Sequence, residues 1–589
     1  MKKNGYISWL LALFLVTCAG KAESPSSTRI LPAVSETIPA SSRTLLTASE
    51  LTNGFTFDRP LDEAALTPPV DTAPPTHTFE GRLELLGEKD GGHIQLLRGE
   101  LGSEYISFPE FDFAFVQDNR DLIPVQRGLI ITDHPAWNII LEPGRVWQEA
   151  GDGGLSRASL PFALIVKGGN AAFNGTLTFL FDDQNVSKIW YQVTQETTNY
   201  TRANLWGLLD AVYHPEPIAE SEKIRKVFAT ELAARMPVKP IEMLAEDYPG
   251  VHVSAFGSGV TPEHMTWYGV AVNGVNYIGG CQTRFGHYPY CESMRATSYS
   301  TAKSAFVSVA LMRLAQKYGT DVADLLIKDY VPEVSASAGN WEQVTFNHAI
   351  DMSTGNYDSS GFLADDESEK MGLFFGAQPY DERIKAAFGA PHRTEPGARW
   401  VYRTSDTFIL TRALHNYLQS QEGADSDIYQ FVVDEVYRPL GLGPGIFTIM
   451  RTADNDWQGQ AEGGYGQWWI PDDIARLGTF LLSGGSINGK KILHAQLLAA
   501  SLQQDPEDRG VSIDNRRMYN NAFWANHYLP SNGFRCEFWA PQMLGVSGNV
   551  VVLFPNGITN YYFSDNQEFT WDAALCESNK IISLCPETP

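Results

Sequence analysis

The stretch "ATSYSTAKSAFVSVALMRL", residues 296 to 314, sets Ser300 three positions before Lys303, where a polar segment gives way to an apolar one. Two readings fit that spacing. Ser is a favoured helix N-cap, so Ser300 can simply open a helix. Alternatively, a serine at the positive end of a helix, with a lysine one turn on and on the same face, is an activated nucleophile. The helix continuing through Ala305, Phe306, Val307, Val309, Ala310, Leu311 and Leu314 is apolar nearly all round, which predicts burial. A lysine at the root of a buried helix loses solvation and its pKa falls, so it can take a proton from a neighbouring hydroxyl. This Ser-x-x-Lys is the only one in the chain.

Outside that helix, composition bounds the possibilities. With 589 residues, 43% of them apolar and 12% aromatic, the chain can bury large cores, and its length suggests two to four domains. The formal charge of -25 repels phosphate backbones, so nucleic acid is not an expected partner. No H-E-x-x-H occurs, the 12 histidines show no metal-ligand spacing, and phosphate-binding glycine loops are missing, so neither metal nor cofactor is expected. Nor is there a G-x-S-x-G elbow; "GVSGN" around Ser547 comes nearest.

The first 22 residues carry Lys2 and Lys3 ahead of an apolar run from Trp9 to Val16, the layout of a secretory signal. An exported, periplasmic or secreted protein is expected. Two endings compete: cleavage after Ala19 or Ala22, or cleavage before Cys18 with a lipid anchor, Thr17 standing where Gly or Ala is usual. Export permits disulfides, and Cys281 with Cys291 would close a short loop before Ser300. Cys536, Cys576 and Cys585 form an odd set, which predicts a free thiol or a pairing outside the chain.

Residues 23–76 are rich in Ser, Thr, Pro and Ala and read as a tether. Residues 77–215 hold short β-rich runs separated by Gly, Asn and Asp, which predicts an all-β domain of unassigned role; Phe113, Phe115, Trp190 and Tyr191 read either as a ligand face or, the favoured reading, as its core. Helical spacing of Ile224, Val227, Phe228 and Leu232 places a connecting helix in 216–240. From 241 to 589, hairpins at Asn273-Gly274 and Asn556-Gly557 bracket helical segments, predicting an α+β domain with one antiparallel sheet built from distant parts of the chain.

From about residue 245 to 565 the chain resembles the serine β-lactamase-like hydrolases, the superfamily of class C β-lactamases, DD-peptidases, esterases of that fold and 6-aminohexanoate-dimer hydrolases. "SYSTAKSAFVSVAL" is similar to their nucleophile helix, and "VTFNHAIDMSTGNYD" to a segment ending in a Thr-Ser-Gly-like turn, here Ser353 to Gly355. "EPGARWVYRTSDTFIL" resembles the second catalytic motif, with Tyr402 at the tyrosine position. "VYRPLGL" and "GQWWIPDDIARLGTFLLSGGSINGKKIL" follow in order. The resemblance implies a β-lactamase/transpeptidase-like domain in which the serine lies between an all-helical lobe and the lobe with the sheet. It implies Ser300 as the acylated nucleophile, Lys303 and Tyr402 as proton carriers, and the N–H groups of Ser300 and Asn549 as the oxyanion hole.

This sequence also departs from that pattern. Thr404 replaces the usual amide of Tyr-x-Asn, and "VSG", Val546 to Gly548, stands where Lys-Thr-Gly or His-x-Gly is common, without a cation for a β-lactam carboxylate. Arg403, Thr404, Ser547, Gly548 and Trp469 are candidate substrate contacts; for Arg403 an ion pair with Asp406 is an equal alternative. One or two of Trp468, Trp469, Phe523, Trp524 and Trp539 are expected at an acyl site. The expectation is an exported hydrolase of small-molecule or peptide-like esters or amides. Its rivals are a β-lactamase or DD-peptidase, and a catalytically silent binding or scaffold protein.

Overall fold

The computed structural model describes residues 46–55, 57–69, 72–88, 92–453 and 459–585. The expected signal segment, Cys18 and the first part of the tether lie outside them.

In the C-terminal half, strand Met265–Val272 pairs antiparallel with Val275–Gly280 on one side and with Thr559–Ser564 on the other. Asn549–Leu553, Phe538–Gly545 and Phe523–Tyr528 extend the same antiparallel sheet. The sheet therefore joins residues almost 300 positions apart, as the two Asn-Gly hairpins predict. Among the described residues it has nine strands, of which only the short Val238–Pro240 runs parallel to its neighbour. Its two faces follow the period of two in each strand. Trp267, Ala271, Val551, Leu553, Tyr561 and Phe563 point into the core shared with the helices, among them Val309–Tyr318, Thr404–Glu422 and Pro471–Leu482. Val270, Val272, Val550, Val552 and Tyr562 point to the other face, where Trp571, Ala574 and Leu575 around the helix Asp572–Ile581 cover them.

The N-terminal half is built on a twelve-stranded antiparallel sheet among the described residues. Phe113, Phe115 and Tyr191 lie in its inner core and Trp190 packs on its outer face. Three successive strands, Ser156–Val166, Ala172–Phe181 and Ile189–Thr197, are buried along nearly their whole length. A sheet with one wet face would alternate instead. Two layers cover the outer face. One is the C-terminal half, where Met450 and Trp468 pack on Leu129, Ile140, Ala163 and Ile165. The other is the segment from Leu46 onward, which corrects the expected tether: Leu46, Leu51, Ala65 and Leu66 are buried against Leu180, Trp190 and Trp206. A Thr47/Glu50 capping box starts the helix Ala48–Asn53 there. Glu63 is buried within the same layer and accepts hydrogen bonds from Thr194 Oγ1 (2.6 Å) and Gln192 Nε2 (2.8 Å). The Ser/Thr/Pro-rich composition hides this docking because a few well-spaced leucines supply the buried area.

The helix Ser221–Ala234 connects the halves. Disulfides join Cys281 to Cys291 and Cys536 to Cys585, and none of the described cysteines is free, so the free thiol that the odd count at the C-terminus allowed is not found.

Candidate functional site

Ser300 sits at the end of a tight turn. Tyr299, just before it, has φ +40°, a left-handed conformation that costs a residue with a Cβ. Thr301 N–H, Ala302 N–H and Lys303 N–H then bond to carbonyls three residues back, so the first turn is tight. Residues Lys303–Ser308 widen into a π-helix before the α-helix Val309–Tyr318 begins. Ser300 accordingly does not cap the helix with its side chain. Instead its Oγ accepts a hydrogen bond from Lys303 Nζ at 2.8 Å. Its own N–H, at the start of the first turn, meets no protein acceptor among the described residues.

Lys303 is 1% exposed. Its ammonium donates to Ser300 Oγ, to Thr404 Oγ1 (3.0 Å) and to the carbonyl of Gly464 (3.3 Å), and it lies 4.9 Å from the centre of the Tyr402 ring. Burial pulls its pKa down to about 8, opposed by the Asp366 carboxylate. The carbonyl of Gly464 reaches the ammonium because its residue is a glycine: a Cβ there would come within 2.4 Å of Thr404 Cγ2.

Tyr402 is buried; desolvation, and after it the Asp366 charge, drive its pKa up, and the neighbouring Ser300 hydroxyl draws it down. Its ring packs beside Trp524, Tyr519 and Trp400, with centroids 5.6, 6.3 and 6.0 Å away. Phe362, partly exposed, closes the cluster against Trp400 and Trp524. The tyrosine therefore has an apolar wall on one side and a serine and a lysine on the other.

Thr404 opens the long helix Thr404–Glu422. Its N–H and hydroxyl both donate to the carboxylate of Asp366, at 2.6 and 3.0 Å. Asp366 thus caps the helix from outside it and sits beside Lys303. Burial raises its pKa, and Lys303 and the bonds from Thr404 oppose the rise. Sequence reasoning missed this residue; "FLADDESEK" offers only an acidic run 38 positions away.

The other candidates lie elsewhere. Arg403 is buried and paired with Asp365 (2.7 Å) and Asp406 (3.3 Å), so the ion-pair alternative holds and its guanidinium is not available to a substrate carboxylate. Trp469 is fully buried and pairs with Ala296 in a short ladder, Trp468 packs on the β-domain, and Phe523 lies in the core. Trp539 stacks on His527. Of the five aromatics singled out, Trp524 is the one beside Tyr402.

The "VSG" segment is not a strand but the turn joining Phe538–Gly545 to Asn549–Leu553. Ser547 exchanges hydrogen bonds with Asn199 of the β-domain, its Oγ donating at 2.9 Å and accepting at 3.1 Å. Gly548, at φ +88°, packs on Ser564 and Glu568. Asn549 is in register with Gly545, and its side chain donates to the carbonyl of Thr297 at 2.6 Å. The residue lying against the Ser300 main chain is Gly545: a Cβ there would stand 3.2 Å from Ser300 N and 2.7 Å from Ser298 O. Among the described residues there is no cluster of potential metal ligands.

No family model matches the chain, and no curated protein does. Solved structures similar to it include EstCE1, a hydrolase with promiscuous acyltransferase activity (TM-score 0.41, 15% identity, 60% of this chain and 98% of that one). A penicillin-binding protein homolog from Caulobacter crescentus is similar over 54% of this chain and 91% of its own (TM-score 0.38, 16% identity). Simvastatin synthase (LovD) from Aspergillus terreus is similar over 56% and 98% (TM-score 0.41, 15% identity).

Proposed function

We propose that the chain is a serine hydrolase that cleaves esters or amides through an acyl-enzyme on Ser300. One observation carries this reading: a buried lysine with a lowered pKa donates directly to the serine hydroxyl, and the ring of a buried tyrosine lies beside that lysine. A scaffold has no use for a lysine held in so costly a place.

The two proton carriers divide the work by environment. Lys303 spends part of its time neutral near pH 8 and takes the Ser300 proton as Oγ attacks the carbonyl carbon. Tyr402 is pushed upward, so it remains a phenol and acts as an acid. It passes its proton to the leaving oxygen or nitrogen and regains one from Lys303. Water then attacks the acyl-enzyme, its proton returning by the same two groups to Ser300. The Ser300 N–H supplies one oxyanion donor. The second comes from the main chain at the end of Phe538–Gly545, where Gly545 meets the Ser300 backbone, in place of Asn549.

With Arg403 consumed by two aspartates and the Asp366 carboxylate beside Lys303, the site is poorly suited to an anionic β-lactam. The apolar wall of Trp400, Trp524 and Phe362 favours neutral esters and amides. We also place the protein outside the cytoplasm, on the Lys-then-apolar N-terminus and the two disulfides. No helix among the described residues is long and apolar enough to cross a membrane.

Labelling with a fluorophosphonate, with a panel of esters, D-amino acid amides and penicillins, tests the reading. Label on Ser300, lost in Ser300→Ala, and turnover of esters or amides above penicillins are the expected results. Label surviving in Ser300→Ala, or no turnover of any substrate, would sink it.

A further inference from the structure

The turn that carries Ser300 is not held by its own domain alone. Asn170 lies in the β-domain, in the connection between Ser156–Val166 and Ala172–Phe181, and is buried. Its Oδ1 accepts from the N–H of Tyr299 at 2.9 Å and from the N–H of Gly466 at 3.2 Å, with Ser298 Oγ at 3.4 Å. Its Nδ2 donates to Gln467 O at 3.4 Å, and its own carbonyl accepts from the indole of Trp468 at 3.1 Å. One side chain thus ties the strained residue before the nucleophile to the 464–468 loop, whose Gly464 carbonyl holds the ammonium of Lys303. Nearby, Tyr299 Oη donates to Thr198 Oγ1 at 3.1 Å, again across the domain boundary.

A left-handed tyrosine persists only where its surroundings over-determine it. The Tyr299 N–H is buried, and Asn170 is the acceptor that satisfies it. We propose that Asn170 is a positioning residue supplied by the β-domain, which fixes the Ser300 hydroxyl and the Lys303 ammonium in mutual register. The proposal rests on the serine hydrolase reading and goes past it. It assigns the β-domain a part in the reaction and predicts that the region 241–589 alone is not a competent enzyme.

The full-length protein tests this with Asn170→Ala and Asn170→Asp. A shift of the nucleophile by an ångström costs on the order of a hundredfold in rate. Asn170→Ala is therefore expected to lower kcat by about ten- to a hundredfold with KM within about twofold of wild type, and to slow fluorophosphonate labelling to match. Asn170→Asp keeps an acceptor for the Tyr299 N–H and should recover most of the loss. Hydrogen exchange over residues 296–305, read without any substrate, should speed up in the alanine variant and stay near wild type in the aspartate variant. Unchanged exchange and unchanged kcat in Asn170→Ala would overturn the proposal, as would an equal loss in both variants that follows a lowered Tm. If wild type takes no label at Ser300, the hydrolase reading falls on its own, and exchange still decides whether Asn170 holds the turn.

Discussion

Lys303 Nζ lies 2.8 Å from Ser300 Oγ, and burial holds its pKa at about 8. Only the neutral amine can accept the serine proton, so the rate follows the fraction of Lys303 that is deprotonated. Below pH 8 kcat/KM is expected to rise about tenfold per pH unit and to level off above it. The measurement is a pH profile of kcat/KM on a neutral ester. Lys303→Arg keeps a cation that cannot lose its proton near neutrality, and should cost roughly a hundred- to ten-thousandfold. A flat profile between pH 6 and about 9 would remove Lys303 from the base role.

Tyr402 acts on the leaving group in this scheme, which makes its importance depend on the substrate. A p-nitrophenolate departs without protonation, whereas an alkoxide or an amide nitrogen does not. Tyr402→Phe should lower kcat for alkyl esters and amides by on the order of a hundredfold or more, and for p-nitrophenyl esters by much less. The phenylalanine preserves the packing on Trp524 and Tyr519, so Tm should hardly move. Equal losses across leaving groups would instead put Tyr402 in the first proton transfer.

Asp366 gives a third test, because its charge acts on Lys303. The carboxylate favours the ammonium form, so removing it should let the lysine deprotonate at lower pH. Asp366→Asn keeps an oxygen for the Thr404 N–H, and the acid limb of kcat/KM should move toward lower pH. A limb that stays in place would mean that the Asp366 charge does not reach Lys303.

Much of this site was legible in the sequence, because Ser300, Lys303 and Tyr402, which the fold brings together, sit in short local patterns. Ser300-x-x-Lys303 needs one helical turn, and Tyr402 precedes a helix whose start is marked by "PGARWVYRT". The sheet was legible too: the Asn-Gly turns fixed two hairpins, and apolar alternation did the rest. What escaped depends on contacts between distant segments. Asp366 reaches Thr404 across a loop, Asn170 reaches Tyr299 from another domain, and Arg403 is neutralised by Asp365. "VSG" misled because its glycine is the one a tight turn requires, while the glycine beside Ser300 is Gly545. A turn glycine and a close-approach glycine look alike in a sequence.

The docked segment before the β-domain is testable through stability. Glu63 is fully buried, and desolvation raises its pKa to about 7 in spite of its bonds from Thr194, Gln192 and Thr176. The folded chain therefore holds a proton that the unfolded chain gives up near pH 4.5. Stability from this group is complete below that value and is lost as the pH rises through about 7, where the carboxylate must ionise within the protein. The loss amounts to roughly 3 kcal/mol at the upper end. Glu63→Gln fills the same space without titrating, so it should raise Tm relative to wild type at pH 8 and change it little at pH 4.5. Thermal unfolding of both proteins across that range makes the comparison. A variant that loses stability equally at both ends would show that the carboxyl contributes through its hydrogen bonds and that its ionisation is not coupled to folding.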